Sequence, residues 1–78
     1  MTETIKPFNP PVYPHLEVEL TLVGWSYRDL GNYLNISDDA ISKKMRGITE
    51  FKLDEVCVIS TLFNKSIEYL FMKNNVNG

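Results

Sequence analysis

Between Ser26 and Gly47 the sequence carries two helix-start signals and two helix-stop signals, which leaves room only for two short helices joined by a tight turn. Ser26 followed three residues on by Asp29 is a capping pair of the S-x-x-D type and opens a helix from Tyr27 to Leu34, with Leu30, Tyr33 and Leu34 as its apolar face. Asn35 can take the left-handed conformation that turns the chain, and Ile36 is a buried anchor for that turn. Ser37 caps a second helix, Asp38 to Arg46, with Asp38 and Asp39 in its first turn and Lys43, Lys44 and Arg46 in its last, and Gly47 ends it. Two helices crossing at roughly 90–120° through so short a turn leave almost no space for a side chain at the crossing. Gly31 meets that demand, while Leu30, Leu34, Ile36 and Ile41 fill the wedge. The pattern is a helix-turn-helix.

The rest of the chain is organised around this segment. All four prolines lie in the first fourteen residues, at 7, 10, 11 and 14, so residues 1–14 form an extended, Pro-rich arm, whose apolar Ile5, Phe8, Val12 and Tyr13 are expected to dock at least in part. Residues 15–72 are the domain and 73–78 a polar tail. From Leu16 to Val23 the alternation of apolar and polar residues argues for a half-buried strand. The spacing of Leu16, Leu20 and Val23, with Pro14 before and Gly24 after, argues equally for a helix. Beyond Gly47, the run Leu53, Val56, Cys57, Ile59, Ser60, Phe63 has helical spacing, and Ile67, Leu70 and Phe71 mark a short last helix.

Seventy-eight residues support a single core, with no room for a separate ligand-sensing or dimerisation domain. One cysteine cannot form an internal disulfide, and Cys57 with His15 falls short of the roughly four ligands of a structural zinc site. Cys57 reads as a small core residue and His15 as a surface residue. No paired acid and base, Gly-rich phosphate loop or nucleophilic triad is present, so no enzymatic activity, cofactor or small-molecule ligand is expected. No apolar run is long enough for a membrane span and no secretion signal opens the chain, so the cytoplasm is the expected compartment.

Read together, Ser26…Asp29-Leu30-Gly31…Leu34-Asn35-Ile36-Ser37, Ala40-Ile41-Ser42-Lys43-Lys44-Met45-Arg46-Gly47 and Leu62-Phe63…Ile67-Glu68-Tyr69-Leu70-Phe71 resemble the lambda-repressor-like helix-turn-helix family, which includes the repressors and Cro-type regulators of temperate phages. The resemblance runs from about Leu16 to Phe71. It implies an all-α fold of five helices, with Leu16 to Val23 as the first. It also implies a regulator of a lysogeny/lytic-type switch in a bacterial host cell, with operator DNA as partner and a homodimer as one possible assembly. The second helix of the motif becomes the recognition helix, presenting Asp38, Asp39, Ser42, Lys43 and Arg46 to the major groove. Lys44 and Lys52 join Lys43 as phosphate contacts, and the backbone amides of Tyr27 and Arg28 form a phosphate anchor. Lys44 departs from the family, which usually has an apolar residue there, and Met45 is expected to take over its packing. Asn35 likewise replaces the usual Gly.

Charge keeps a second reading open. The formal net charge is -2, yet residues 42–52 carry Lys43, Lys44, Arg46 and Lys52 against Glu50, a local +3 on a body that otherwise sums to -5. Concentrated positive charge is what a groove-binding face needs. Asp38 and Asp39 oppose it at the tip of the recognition helix, where an aspartate is repelled by phosphate and has cytosine's amino group as its one good base contact. In an antirepressor, or modulator of repression, the same face (Asp38, Asp39, Ser42, Lys43, Arg46) would instead bind the basic recognition surface of a partner repressor. The plainer alternative is that Asp38 and Asp39 only stabilise their helix start, typically by about 0.3–1 kcal/mol each, and that Lys43 and Lys44 are a solvated face.

Overall fold

Five α-helices follow one another in the computed structural model, which describes residues 11–73: α1 (Pro14–Val23), α2 (Tyr27–Leu34), α3 (Asp38–Met45), α4 (Leu53–Phe63) and α5 (Ile67–Leu70). No strand occurs among the described residues. The ambiguity at Leu16 to Val23 resolves as a helix. Pro14 takes its first position, where the missing N–H would have had no partner. At the other end Gly24 turns left-handed at φ 74°, so that the amides of Gly24 and Trp25 reach the carbonyls of Thr21 (3.0 Å) and Leu20 (2.9 Å). The alternating pattern reflects an exposed outer face, since Leu22 and Val23 lie largely in solvent while Leu16 and Leu20 are buried.

The helix boundaries in the middle of the chain follow their caps. Ser26 Oγ accepts from the Asp29 amide (3.3 Å) while the Ser26 amide donates to Asp29 Oδ2 (2.8 Å), closing the reciprocal box. Asn35 is left-handed at φ 64°, and Ser37 Oγ accepts from the Ala40 amide at 3.1 Å to start α3. The α3 helix stops at Met45, one residue before the expected Arg46, which takes the C-cap position.

The core joins Tyr13, Leu16, Leu20, Leu30, Ile41, Met45, Ile59 and Leu70. Tyr13 stacks edge-on against Phe51 (5.7 Å) and Phe71 (5.5 Å), so the residues just before α1 close the bottom of the core. Val12 packs beside it. The other apolar arm residues, Ile5 and Phe8, and the prolines at 7 and 10 lie outside the described residues, as do residues 74–78 of the tail.

The expected burial needs correction at four residues. Cys57 is exposed, not a core residue, and Leu53 is 78% exposed. The α4 helix is rolled so that Ile59 and Glu55 face inward, which turns Leu53 and Cys57 to the outside. Tyr33 is half exposed and leans on Trp25 with ring centroids 5.7 Å apart. His15 is half buried, its ring stacked 4.4 Å over Tyr69 and its Nδ1 donating to the Tyr69 carbonyl at 2.9 Å.

Among the described residues α2 and α3 make the most extensive helix contact, and at Gly31 the turn between them leaves no space for a side chain. A Cβ at this position would stand 2.6 Å from the Ile36 carbonyl oxygen and 3.3 Å from the Ser37 backbone. Because the obstacle is backbone, no side-chain rearrangement relieves it. Gly31→Ala is therefore expected to lower unfolding stability by about 2 kcal/mol, as overpacking does, although alanine favours a helix; urea denaturation with an unchanged m-value is the measurement. Equal or higher stability would mean that the crossing opens freely.

Candidate nucleic-acid interface

The α3 helix has two faces of different character. Ile41, Lys44 and Met45 point inward, whereas Asp38, Asp39, Lys43 and Arg46 are exposed and Ser42 lies half buried at the edge. Lys43 pairs with Asp39 one turn back at 3.4 Å, and both remain substantially solvated, so the contact adds little to stability. The Arg46 Nε donates to the Ser42 carbonyl at 3.4 Å. Lys43 and Arg46, three positions apart, form the cationic part of this face, and Asp38 the anionic part that no ion pair among the described residues compensates.

Lys44 does not belong to it. Its side chain is about 10% exposed, its ammonium donates to the Glu50 carbonyl at 3.1 Å, lies 3.4 Å from Glu55 Oε1 and sits 5.9 Å from the centre of the Phe51 ring. Lys44, expected from the sequence to neutralise phosphate, is instead buried against Glu55. At a position facing the core, a lysine's charge must be met inside the protein, and Glu55 on α4 meets it. Met45 is also buried, so the two residues share the packing instead of one replacing the other. With Lys44 compensated by Glu55, the local +3 of residues 42–52 falls to +2 toward solvent.

The remaining candidates are spread around α3. Lys52 is exposed at the start of α4, its amide donating to Glu55 Oε1 at 2.8 Å. Arg28 is exposed in the first turn of α2. Tyr27, at the first position of that helix, is half buried and donates its phenol hydroxyl to Glu17 of α1. Burial, then the hydrogen bond to Glu17 and the carboxylate's charge, push the Tyr27 phenol well above its ordinary value, while the positive charge of Arg46 works in the opposite direction. Tyr69 makes the matching contact on the far side of α1, donating to buried Glu19 at 3.0 Å, and that hydrogen bond pushes its phenol up as well.

Sequence reasoning singled out neither Glu55 nor the two α1 glutamates. The available signals were a lysine at an otherwise core-facing position of α3, and tyrosines in α2 and α5 needing polar partners. No group of three or more His, Cys, Asp or Glu placed to hold a metal ion occurs among the described residues, and none of their helices is long and apolar enough to cross a membrane. Comparison with protein-family models, curated proteins and solved structures found no match.

Two outcomes follow from these contacts. Lys44→Ala leaves Glu55 buried beside an empty site and is expected to cost about 3 kcal/mol, against under about 0.5 kcal/mol for Lys43→Ala at the solvated position next to it; thermal or urea unfolding of the two variants compares them. Equal losses would show that Lys44 is solvated. The second concerns pH. The folded state holds the Tyr27 proton where the unfolded chain releases it near pH 10, so this contribution is complete below pH 10 and declines as pH rises above it. In Tyr27→Phe the fall in stability above pH 10 is expected to be shallower than in the parent, and an identical slope would contradict the Glu17 contact.

Proposed function

We propose that this chain is a small phage-type transcriptional regulator with a lambda-repressor-like helix-turn-helix, and that it binds operator DNA to control a switch of the lysogeny/lytic kind. The α2–α3 unit is the helix-turn-helix and α3 the recognition helix. The observation that carries this reading is the exposed pair Lys43 and Arg46 on the one face of α3 that is turned away from the core, held at a fixed crossing by the missing side chain of Gly31. Arg46 is placed for a bidentate guanine contact or a phosphate clamp, Ser42 for a base edge, and Lys43, Lys52 and Arg28 for phosphates. The amides of Tyr27 and Arg28 open α2 toward a phosphate. Acting as a homodimer, the protein would place two recognition helices one helical turn of DNA apart, about 34 Å, or a multiple of it.

The withdrawal of Lys44 favours a second reading. With one cation fewer on the surface and Asp38 and Asp39 both exposed, the tip of α3 is suited to a basic protein surface. In that reading the chain is an antirepressor that covers the recognition helix of a partner repressor.

One mobility-shift experiment separates the two, with the operator region exposed to this protein, to the partner repressor, and to both together. A shift by this protein alone is expected, with log K falling linearly against log salt and Arg46→Ala weakening binding about tenfold, the loss of one good base contact. Absence of any shift, combined with release of the repressor from its operator in the mixture, would replace the first reading with the second. Asp38→Lys with Asp39→Lys would then abolish that release.

A further inference from the structure

We propose that Lys44 and Glu55 are positioning residues of the recognition face: their buried pair fixes how α3 sits against α4 and so aligns Lys43, Arg46 and Lys52, without touching the DNA itself. This rests on the operator-binding reading for its consequence, though not for its geometry. The packing of the molecule shows why such a link matters. The close helix contacts are α2 with α3, and α5 with both α1 and α4, whereas direct contact between α3 and α4 is sparser. The five residues 48–52 alone connect the end of the α3 turn to α4 along the chain.

Lys44 bridges that gap from one side and Glu55 from the other. The Lys44 ammonium holds the Glu50 carbonyl at 3.1 Å and Glu55 Oε1 at 3.4 Å, while the same Oε1 accepts the Lys52 amide at 2.8 Å. The carboxylate oxygen therefore ties the last turn of α3 to Lys52, the residue just before α4, and the ammonium adds the Glu50 carbonyl of the connecting loop. Three of the proposed DNA-contacting cations flank this tie: Lys43 precedes Lys44 in α3, Arg46 follows it by two residues, and Lys52 carries the amide bound to Glu55. An apolar residue at 44 would fill the same space. It would bind neither the Glu50 carbonyl nor a particular carboxylate, and so would leave the rotation of α3 less determined, which is the best-attested use of a buried polar pair.

The test is the double variant Lys44→Met with Glu55→Gln, which keeps the volume at both positions and an acceptor for the Lys52 amide. Glu55→Gln alone serves as the milder form should the pair fail to fold. Ile59→Val, a core change one turn further along α4 that leaves the tie's polar groups intact, controls for lost stability. Residual dipolar couplings of the folded proteins are expected to show α3 reoriented relative to α4 in the double variant and unchanged in Ile59→Val. Operator affinity is expected to fall about tenfold, the loss of one misaligned base contact, with the slope of log K against log salt unchanged. Lys43→Met, by contrast, is expected to reduce that slope by about one, as a phosphate contact does.

An unchanged helix orientation overturns the proposal, as does an unchanged affinity in a parent protein that binds operator DNA. A reduced salt slope in the double variant also overturns it, since Lys44 would then be a phosphate contact. A parent protein that binds no DNA, with α3 reoriented in the variant, removes the operator reading and leaves the positioning role standing.

Discussion

The close approach of the Ile36 carbonyl to Gly31 is the constraint from which the rest of this structure follows. At 2.6 Å from where a Cβ would stand, the Ile36 carbonyl lies directly on α2, and the two helices cross with Leu30 and Ile41 both buried in the core. The turn can lie there because Asn35 adopts a left-handed conformation and the Ile36 amide reaches back to the Gly31 carbonyl at 2.8 Å. Once α3 is set on α2, Ile41 and Met45 turn one of its faces inward, and the buried Lys44–Glu55 pair ties that face to α4.

That geometry has an electrostatic consequence. A helix of eight residues with two acids in its first turn and two lysines in its last looks, in isolation, like a helix arranged for its own dipole. Packed on α2 it divides its charges differently. Lys43 and Arg46 stay with Asp38 and Asp39 at the surface, and Lys44 goes inside to a glutamate from another helix. The exposed face of α3 is then mixed in sign. Mixed charge suits a partner read by specific contacts more than one held by field alone, since affinity for a polyanion follows the phosphates actually neutralised. The glutamates of α1 are similarly engaged, Glu17 by Tyr27 and Glu19 by Tyr69, which anchors α1 to the start of α2 on one side and to α5 on the other.

Much of the fold was legible because its signals are local. Caps at Ser26 and Ser37, left-handed turns at Gly24 and Asn35, and the small residue at 31 each act over three or four residues, and such short-range chemistry reads directly from the order of amino acids. The first helix was less legible, since its exposed Leu22 and Val23 blur the periodicity, and alternation could equally mean a strand. Of the candidate interface, the sequence identified the cations at 43, 46 and 52. It did not separate Lys44 from them, because consecutive lysines on a helix differ only by a rotation of about 100° and the core-facing place of Lys44 shows only once α3 is packed.

The sequence by itself determined the caps that open α2 and α3, the turn between them and the need for a small residue where they cross, at Gly31. Only the tertiary structure decided how each helix is rolled about its own axis. An apolar stripe of the breadth found in α4 is compatible with several rolls, and the neighbours that choose among them are distant in sequence. Glu55 turns inward because Lys44 and the Lys52 amide await it there, and that rotation carries Leu53 and Cys57 to the surface. The same contact removes Lys44 from solvent. Which residues of α4 are buried is a property of the assembled core, set by partners that the local pattern of α4 does not contain.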